Sequence, residues 1–460
     1  MKIELAKKET VHFVGIGGIG MSGLSLIMKR KGFKVQGSDI SNNKNVERLK
    51  KEKIKIFLGH SKQNLKNATI VVVSSAIKKN NPEFIEAKKK KIPIIKRGKM
   101  LASIVSLLKN IVVVGSHGKT TTTSLITSIF QETKLDPTII NGGVINSIKN
   151  TAKLGKSDWS ILEADESDGS FVHIPPTYSI ITNIDREHMD FYKTMDDLKK
   201  YFSEFIKKIP SFGKSFICID DKINKELIKN IKSKNFYTYG KNIKSNFLIK
   251  NIIQKKEMTK FDLIVNLPNK KKQIIKNIKI PLIGIHNIRN SVAAAAVALT
   301  VGITINDIKD GLLRFNGVQR RFNKIFSLNG VDFYDDYAHH PTEIKATLDA
   351  AKNLKNDIVV VFQPHRYSRT KILIHEFVRV LSKINHLILL ETYSAGEKII
   401  KGATTKDIYL RLKGNKKNVV HLKDIKNLNI HLKKYTINNN NIIFMGAGSI
   451  SNIAKKYFNS

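Results

Sequence analysis

Short apolar runs alternate with amphipathic segments along most of the chain, a pattern typical of βαβ units around a parallel sheet. In the first hundred residues, VHFVGIGG, KVQGSD and TIVVVSSAI are predicted strands, and MSGLSLIMKRKG is a predicted helix. A second block begins with IVVVG and continues with WSILEADE and SIITNID. A third contains DIVVVFQPHR, HLILLETYSAG and IIFMGAGSI. The fold class is therefore predicted to be α/β, in three blocks.

Residues 240–283 have a different pattern. KFDLIVNLP and KQIIKNIKIPL alternate apolar and polar residues, which predicts antiparallel hairpins beside the parallel sheet. The Ala-rich segment NSVAAAAVALTVG then predicts a helix. The predicted domains are 1–107, 108–318, which includes the small antiparallel β insertion, and 319–460.

The composition favours an ordinary globular protein. Hydrophobic residues make up 41% and aromatic residues 8% of the 460 positions. No apolar stretch approaches the roughly 18 residues of a membrane-spanning helix, and the first residues lack the pattern of an export signal. The single cysteine, Cys218, cannot form an intramolecular disulfide. A cytoplasmic location is expected.

The formal net charge of +42 raises the possibility of nucleic-acid binding. However, a count gives only 12 Arg among the 80 basic residues, and the Lys residues are spread along the whole chain. Phosphate-reading surfaces usually cluster their charge and favour Arg. No nucleic-acid partner is expected, although an ATP-dependent nucleic-acid-binding protein stays an alternative.

GIGGIG follows the first predicted strand and precedes a helix, as in the dinucleotide-binding fingerprint. In such a turn, Gly15, Gly17, Gly18 and Gly20 allow the backbone to approach a pyrophosphate, and Asp39 is positioned for a ribose. NAD, FAD and a UDP-sugar all present both groups. A nicotinamide oxidoreductase is therefore an alternative on this motif alone.

GSHGKT resembles a phosphate-binding loop but is two residues shorter than the usual form, because only Ser116 and His117 separate Gly115 from Gly118. Backbone N–H groups, the ammonium of Lys119 and the hydroxyl of Thr120 suit a nucleotide with Mg²⁺. An apolar strand, Gly-Lys-Thr and a helix in this order together predict a loop that binds the phosphates of a nucleotide.

Polar side chains follow several of the predicted strands. Carboxylates at the strand ends in ILEADESDGSF and TNIDREHMDFY are predicted to complete a magnesium shell or to orient a phosphate, with a solvated acidic loop as the alternative. The candidates are Glu163, Asp165, Glu166, Asp168, Asp185, Glu187, His188 and Asp190, although His is an unusual ligand for Mg²⁺. Asn287 and Asn290 lie near a helix start, where capping is favoured over contact with a base edge. In the third block, polar residues cluster at the predicted strand-to-helix junctions: Asp335, Asp336, His339, His340, His365, Arg366 and Arg369. The two Arg residues near His suit binding of a carboxylate or phosphate.

Taken in order, GSHGKTTTT, LEADESDGSF, TNIDREHMDFY, GIHNIRNSVAA, VQRRF and DDYAHHPTE resemble the Mur ligases over essentially the whole chain. The resemblance implies an N-terminal Rossmann-like domain that binds the sugar nucleotide and a central P-loop ATPase-like α/β domain that binds Mg-ATP. It also implies a C-terminal Rossmann-like α/β domain that closes over ATP and binds the amino acid. GIGGIGMSG with VVVSSAI resembles the family members that attach L-alanine to UDP-N-acetylmuramate. It favours this activity over that of a sister ligase, which attaches a preformed peptide to the same sugar nucleotide.

The resemblance also implies roles for single residues. Catalytic roles fall to Lys119, Glu163, His188 and Arg321. ATP is expected at Gly115, Ser116, His117, Gly118, Lys119, Thr120, Thr121, Asn287, Asn290 and Arg321. The UDP-sugar is expected at Gly15, Gly17, Gly18, Gly20, Asp39, Ser74 and Ser75. The amino acid is expected at His339, His340, Arg366 and Arg369. Mg²⁺ is expected at Thr120, Glu163 and His188.

Overall fold

The structure is a computed structural model that describes residues 9–74, 76–231, 235–255, 258–352, 354, 356–414, 418–436 and 440–458. The chain separates into two compact units. The first contains Met1–Ile253, Thr259–Pro281 and Asn287–Asn316, and the second contains Gln254–Met258, Leu282–His286 and Gly317–Ser460. Within the described ranges, no helix combines the length and the apolar character needed to cross a bilayer.

The first unit begins with a five-stranded sheet in which every neighbouring pair is parallel, in the order β3-β2-β1-β4-β5. Its strands are β1 (Thr10–Val14), β2 (Lys34–Asp39), β3 (Lys55–Leu58), β4 (Ile70–Val73) and β5 (Ile94–Lys96). Its helices are α1 (Ile19–Arg30), α2 (Lys44–Lys51), α3 (Pro82–Lys89) and α4 (Arg97–Val105). Because strand order reverses between β1 and β4, the glycine-rich turn after β1 lies at the topological switch point, where such sheets bind ligands.

A ten-stranded sheet follows in the same unit, in the order β15-β14-β13-β12-β11-β10-β6-β9-β7-β8. Its strands are β6 (Lys109–Val114), β7 (Thr138–Ile145), β8 (Asn150–Lys153), β9 (Trp159–Glu163), β10 (Tyr178–Ile181), β11 (Lys214–Cys218), β12 (Phe236–Gly240), β13 (Phe247–Lys255), β14 (Met258–Val265) and β15 (Gln273–Ile280). Its helices are α5 (Lys119–Gln131), α6 (Met189–Tyr192), α7 (Met195–Lys207), α8 (Lys222–Lys229), α9 (Ile285–Val301) and α10 (Ile305–Leu313). The central strand β6 is parallel to both neighbours, β9 and β10.

The alternating segment after residue 240 forms β13, β14 and β15, of which β14 and β15 pair antiparallel. These strands extend the large sheet rather than standing beside it, since they occupy one of its ends. A second antiparallel hairpin, β7–β8, closes the other end and was not predicted from the sequence.

The second unit has a six-stranded sheet in the order β16-β17-β21-β18-β19-β20. Its strands are β16 (Asn323–Leu328), β17 (Val331–Asp336), β18 (Ile358–Phe362), β19 (His386–Leu390), β20 (Val419–Leu422) and β21 (Asn441–Met445). Its helices are α11 (Pro341–Ala351), α12 (Tyr367–Ile372), α13 (Ile374–Leu381), α14 (Thr405–Lys413), α15 (Leu428–Lys433) and α16 (Ile450–Phe458). Only the edge pair β16–β17 is antiparallel among the pairs of this sheet. The predicted α/β class is confirmed in all three sheets.

A polar network joins the N-terminal sheet to α3 around Glu83, whose side chain is completely buried. Its carboxylate accepts hydrogen bonds from Ser38 Oγ at 2.6 Å and Asn64 Nδ2 at 2.6 Å, and it contacts His60 Nδ1 at 3.1 Å. The buried His12 ring lies 3.6 Å away. Burial acts to raise the pKa of Glu83, but the facing His12 and these hydrogen bonds outweigh it and hold the pKa at about 2.

Candidate functional site

The loop after β6 is built on two glycines with left-handed backbone. Gly115 has φ 133° and Gly118 has φ 83°, values that other residues rarely adopt. A Cβ on Gly115 would also collide with the hydroxyl of Thr182. Gly118 is the N-cap of α5 and has no side chain to cap it, so the amides of the first turn point out of the helix, as in anion-binding loops.

The end of β10 supports this loop. Thr182 Oγ1 donates to the His117 carbonyl at 2.7 Å, and the His117 amide donates to Asn183 Oδ1 at 2.9 Å. His117 Nε2 lies 2.9 Å from Asp185 Oδ2, and the Asp185 amide donates to Ser116 Oγ at 2.8 Å. Asp185, a candidate from the sequence, therefore helps to fix the shape of the loop.

Lys119 folds back over the loop that it follows. Its ammonium donates to the carbonyls of Gly115 at 2.5 Å and Ser116 at 3.1 Å and lies 2.7 Å from Glu166 Oε2. Burial acts to lower the pKa of Lys119, but the negative charges of Glu166, Asp165 and Glu163 outweigh it, so the pKa is raised. The ammonium therefore stays charged at neutral pH.

Glu163 ends β9 directly beside the loop. Its Oε1 accepts a hydrogen bond from Thr120 Oγ1 at 3.0 Å, and its Oε2 accepts one from the Gly142 amide at 2.6 Å. The carboxylate is thus held between the first turn of α5 and strand β7. A hydroxyl and a carboxylate at this spacing are oxygen ligands that suit Mg²⁺.

A second group of ligand atoms lies around Glu166. One ligand atom each from Asp165, Glu166 and His188 lie within 4.8 Å of one another, and His188 Nε2 is 3.6 Å from Glu166 Oε1. His188 has φ 56°, an unfavourable conformation for a residue other than glycine. Of the residues expected at Mg²⁺, the structure joins Thr120 to Glu163 and places His188 with Glu166. Asp165 and Glu166 were candidates from the acidic stretch but were not assigned to the metal.

Asn287 and Asn290 lie within α9, so neither is its N-cap, and the interpretation as helix caps is wrong. The amide of Asn290 faces the phosphate loop, since a Cβ on Gly118 would lie 2.8 Å from its Oδ1. Asn290 Nδ2 is 3.5 Å from Asn287 Oδ1. Their assignment to ATP stays a prediction.

In the N-terminal turn, the amides of Gly15 and Ile16 both donate to the carbonyl of Ser38 at 2.9 Å. Asp39 Oδ2 accepts a hydrogen bond from the Gly17 amide at 2.8 Å, and Asp39 Oδ1 accepts one from the Ser41 amide at 3.1 Å. The carboxylate expected at a ribose therefore also fixes the glycine turn.

Two serines were expected at the sugar nucleotide. Ser74 lies against the same turn, because a Cβ on Gly15 would be 3.4 Å from its Cβ. Ser75 falls outside the described residues.

In the second unit, the side chains that follow β17 and β18 come together, because these strands flank β21 in one parallel sheet. The rings of His339 and His365 have centroids 5.9 Å apart, and Arg369 Nη1 lies 3.3 Å from His365 Nδ1. Burial and the neighbouring His339 and Arg369 lower the pKa of His365 to about 3. Arg366 Nε donates to Glu397 Oε1 at 2.6 Å.

The remaining residues predicted in this unit have structural contacts. His340 is the N-cap of α11, where its Nδ1 accepts a hydrogen bond from the Thr342 amide at 3.3 Å. Arg321 lies over the Tyr337 ring at 5.3 Å and 3.9 Å from Glu343. Their roles toward ATP or an amino acid stay predictions.

One parallel and two mixed sheets flanked by helices, a phosphate loop after strand β6 and carboxylates on the adjacent strand ends define a nucleotide-binding α/β enzyme. Residues 10–108 match the family model "Mur ligase family, catalytic domain", residues 113–298 match "Mur ligase middle domain", and residues 320–448 match "Mur ligase, glutamate ligase domain". The chain belongs to the Mur ligase family.

Named relatives cover nearly the full length. The chain is 63% identical over 457 residues to the UDP-N-acetylmuramate–L-alanine ligase of Pelagibacter ubique, covering 98% of each. It is 45% identical to that of Rickettsia typhi, covering 97% of this chain and 91% of the relative. The crystal structure of UDP-N-acetylmuramate-alanine ligase from Thermotoga maritima is similar, with a TM-score of 0.83, 26% identity and coverage of 98% of each chain.

Proposed function

We propose that this protein is an ATP-dependent ligase that joins L-alanine to the carboxylate of UDP-N-acetylmuramate and releases ADP and phosphate. This reaction makes a precursor of peptidoglycan in the cytoplasm. The observation that carries the proposal is the junction of β6, β9 and β10, where Lys119, the Thr120–Glu163 pair and the Glu166–His188 pair meet. The full-length similarity to L-alanine ligases supports the choice of substrates.

A free carboxylate is a poor electrophile, so it must first be activated. One carboxylate oxygen of UDP-N-acetylmuramate attacks the γ-phosphorus of ATP, the bond to the β-phosphate oxygen breaks, and ADP leaves. The resulting acyl phosphate has a good leaving group. Lys119 and the loop amides stabilise the negative charge on the transferred phosphoryl group, because they are fixed in place before the reaction begins.

The second step forms the amide bond. The neutral amine of L-alanine attacks the acyl carbon, a tetrahedral oxyanion forms, phosphate leaves, and the nitrogen loses a proton. We assign alanine binding to the second unit, through His339, His340, Arg366 and Arg369. The positive charges of the two guanidinium groups and the hydrogen-bonding capacity of the two imidazole rings suit the alanine carboxylate.

Mg²⁺, when bound, would offset phosphate charge, and Thr120, Glu163 and His188 are proposed to hold it, with Glu166 and Asp165 beside His188. The donor set fits the ion because carboxylate and hydroxyl oxygens predominate. Asn287, Asn290 and Arg321 are assigned to ATP. The glycine turn at Gly15–Gly20 is assigned to the pyrophosphate of the sugar nucleotide.

An ADP-release assay with UDP-N-acetylmuramate and single amino acids tests the proposal. We expect turnover with L-alanine that requires both ATP and Mg²⁺. UDP-N-acetylglucosamine is the matched control substrate, since it lacks the carboxylate, and it should support no turnover. Turnover with a preformed peptide in place of L-alanine would instead indicate the sister ligase. Absence of turnover with every amino acid would contradict the proposal.

A further inference from the structure

Arg97 lies in the segment KRGKM, which none of the sequence motifs includes. It is the first residue of α4 and directly follows β5 in the N-terminal sheet. Its Nη2 donates to Asp165 Oδ2 at 3.1 Å, across 68 positions of sequence, and its side chain is only 16% exposed. An arginine of the helix that follows the N-terminal sheet therefore reaches the carboxylates beside Lys119.

The opposite side of the guanidinium faces α1. A Cβ on Gly20 would lie 2.8 Å from Arg97 Nη1 and 3.4 Å from its Cδ. The third glycine of a dinucleotide fingerprint usually permits close packing of helix against strand. Here the space above Gly20 is filled by Arg97, so the guanidinium lies beside the first turn of α1.

Positive charge accumulates where Arg97 lies beside the N-termini of α1 and α4, and this favours binding of an anion. Neither α1 nor α4 has an acidic residue in its first turn, and their N-caps, Gly18 and Lys96, provide no side-chain cap. A helix N-terminus carries partial positive charge, so a cation placed there is repelled. Asp165 offsets this charge from one side of the guanidinium. Among the described residues, Asp165 is the one hydrogen-bond partner of Arg97. The other N–H groups of the guanidinium can therefore donate to a bound oxyanion.

We propose that Arg97 is a further substrate-binding and positioning residue, which binds an oxyanion of the sugar nucleotide beside Gly20 while Asp165 fixes its orientation. The inference rests on the proposed function, because it assumes that the glycine turn binds a sugar nucleotide. The favoured oxyanion is the pyrophosphate, since Gly20 is the last glycine of the turn and lies in the first turn of α1. Through the Arg97–Asp165 pair, occupancy of the sugar-nucleotide site is linked to the carboxylates at the ATP loop.

The test measures steady-state constants for Arg97→Ala, Arg97→Lys and Gly20→Ala, together with affinities by calorimetry for UDP-N-acetylmuramate and UDP-N-acetylglucosamine. Arg97→Ala should raise KM for UDP-N-acetylmuramate about tenfold or more, as expected for one lost charge-assisted hydrogen bond, with KM for ATP within twofold. Arg97→Lys should give an intermediate KM for UDP-N-acetylmuramate, because lysine keeps the positive charge but not the two parallel N–H donors of the guanidinium. Gly20→Ala should act in the same direction, since its Cβ displaces the guanidinium.

Arg30→Ala is the matched control, because it removes one positive charge from the far end of α1, at an exposed pair with Glu52. It should leave both KM values unchanged. If Arg97→Ala weakens both UDP-sugars equally, the oxyanion is the pyrophosphate; if only UDP-N-acetylmuramate is weakened, it is the carboxylate.

A loss confined to kcat or thermal stability, with sugar-nucleotide affinity unchanged in Arg97→Ala and Gly20→Ala, would overturn the inference. An inactive wild-type protein would count against the proposed function instead. The calorimetric arm would still decide the role of Arg97.

Discussion

Gly142→Ala tests the geometry of the predicted magnesium site without removing any polar side chain. Gly142 is exposed in β7, and its φ is not in the left-handed region, so the backbone tolerates alanine. The new Cβ would lie 2.5 Å from Glu163 Oε1 and 2.6 Å from Oε2, where ordinary contact begins at 3.4 Å. The carboxylate must therefore move by about 0.9 Å out of its position between Gly142 and Thr120.

A displacement near 1 Å at a reacting centre can cost about 10²-fold in rate, which corresponds to about 2.7 kcal/mol of transition-state stabilisation. We expect ADP release to fall by roughly this factor and the Mg²⁺ concentration for half-maximal rate to rise. Gly414→Ala is the matched control, because nothing lies within 4 Å of its Cβ. An unchanged magnesium titration in a folded Gly142→Ala protein would refute the assignment of Glu163.

Lys119→Ala should lower kcat by about 10²-fold to 10³-fold, as for loss of a fixed electrostatic donor, and calorimetry should show unchanged UDP-N-acetylmuramate binding. Gly17→Ala should raise KM for the sugar nucleotide much more than KM for ATP, because its Cβ would lie 2.7 Å from Asn43 and 2.9 Å from Asp39; equal effects on both KM values would contradict this. Glu83→Gln should destabilise the protein at neutral pH. Since the pKa of Glu83 falls from an ordinary 4.5 to about 2 on folding, its stabilisation is present above pH 4.5 and is lost as pH falls toward 2. The stabilisation by ionised Glu83 amounts to at most about 3 kcal/mol. The difference in unfolding free energy between wild type and Glu83→Gln should therefore shrink steadily below pH 4.5.

Features carried by a local motif could be predicted from the sequence. GSHGKT lies between a strand and a helix, and ILEADE ends a strand, so both were assigned correctly to one edge of a parallel sheet. The pairing of Glu163 with Gly142 could not be predicted, because it depends on β7 lying next to β9. The run NGG in β7 was the available signal, since glycine within a strand often marks a close approach.

Residues whose role depends on distant contacts escaped sequence reasoning for the same reason. Arg97 lies in a Lys-rich segment, and its partner Asp165 is 68 positions away. Asp39 was expected to face a ligand, yet its carboxylate also accepts the Gly17 amide. A pattern reports the residue type and the element, but it does not report which side chain a given hydrogen-bond donor will meet.

Helix α5 is buried along eleven successive residues, from Thr120 to Phe130, and Ser124 and Thr127 donate back to its own carbonyls. Amides in such a helix exchange with solvent only when the surrounding domain opens as a whole. A ligand that binds only the folded state raises the free energy of this opening, by about 2.7 kcal/mol at a hundredfold excess over its Kd. Exchange of the α5 amides slows accordingly. Hydrogen exchange in α5 is therefore a gauge of nucleotide affinity that works with no turnover and no second substrate, even in variants that have lost all activity.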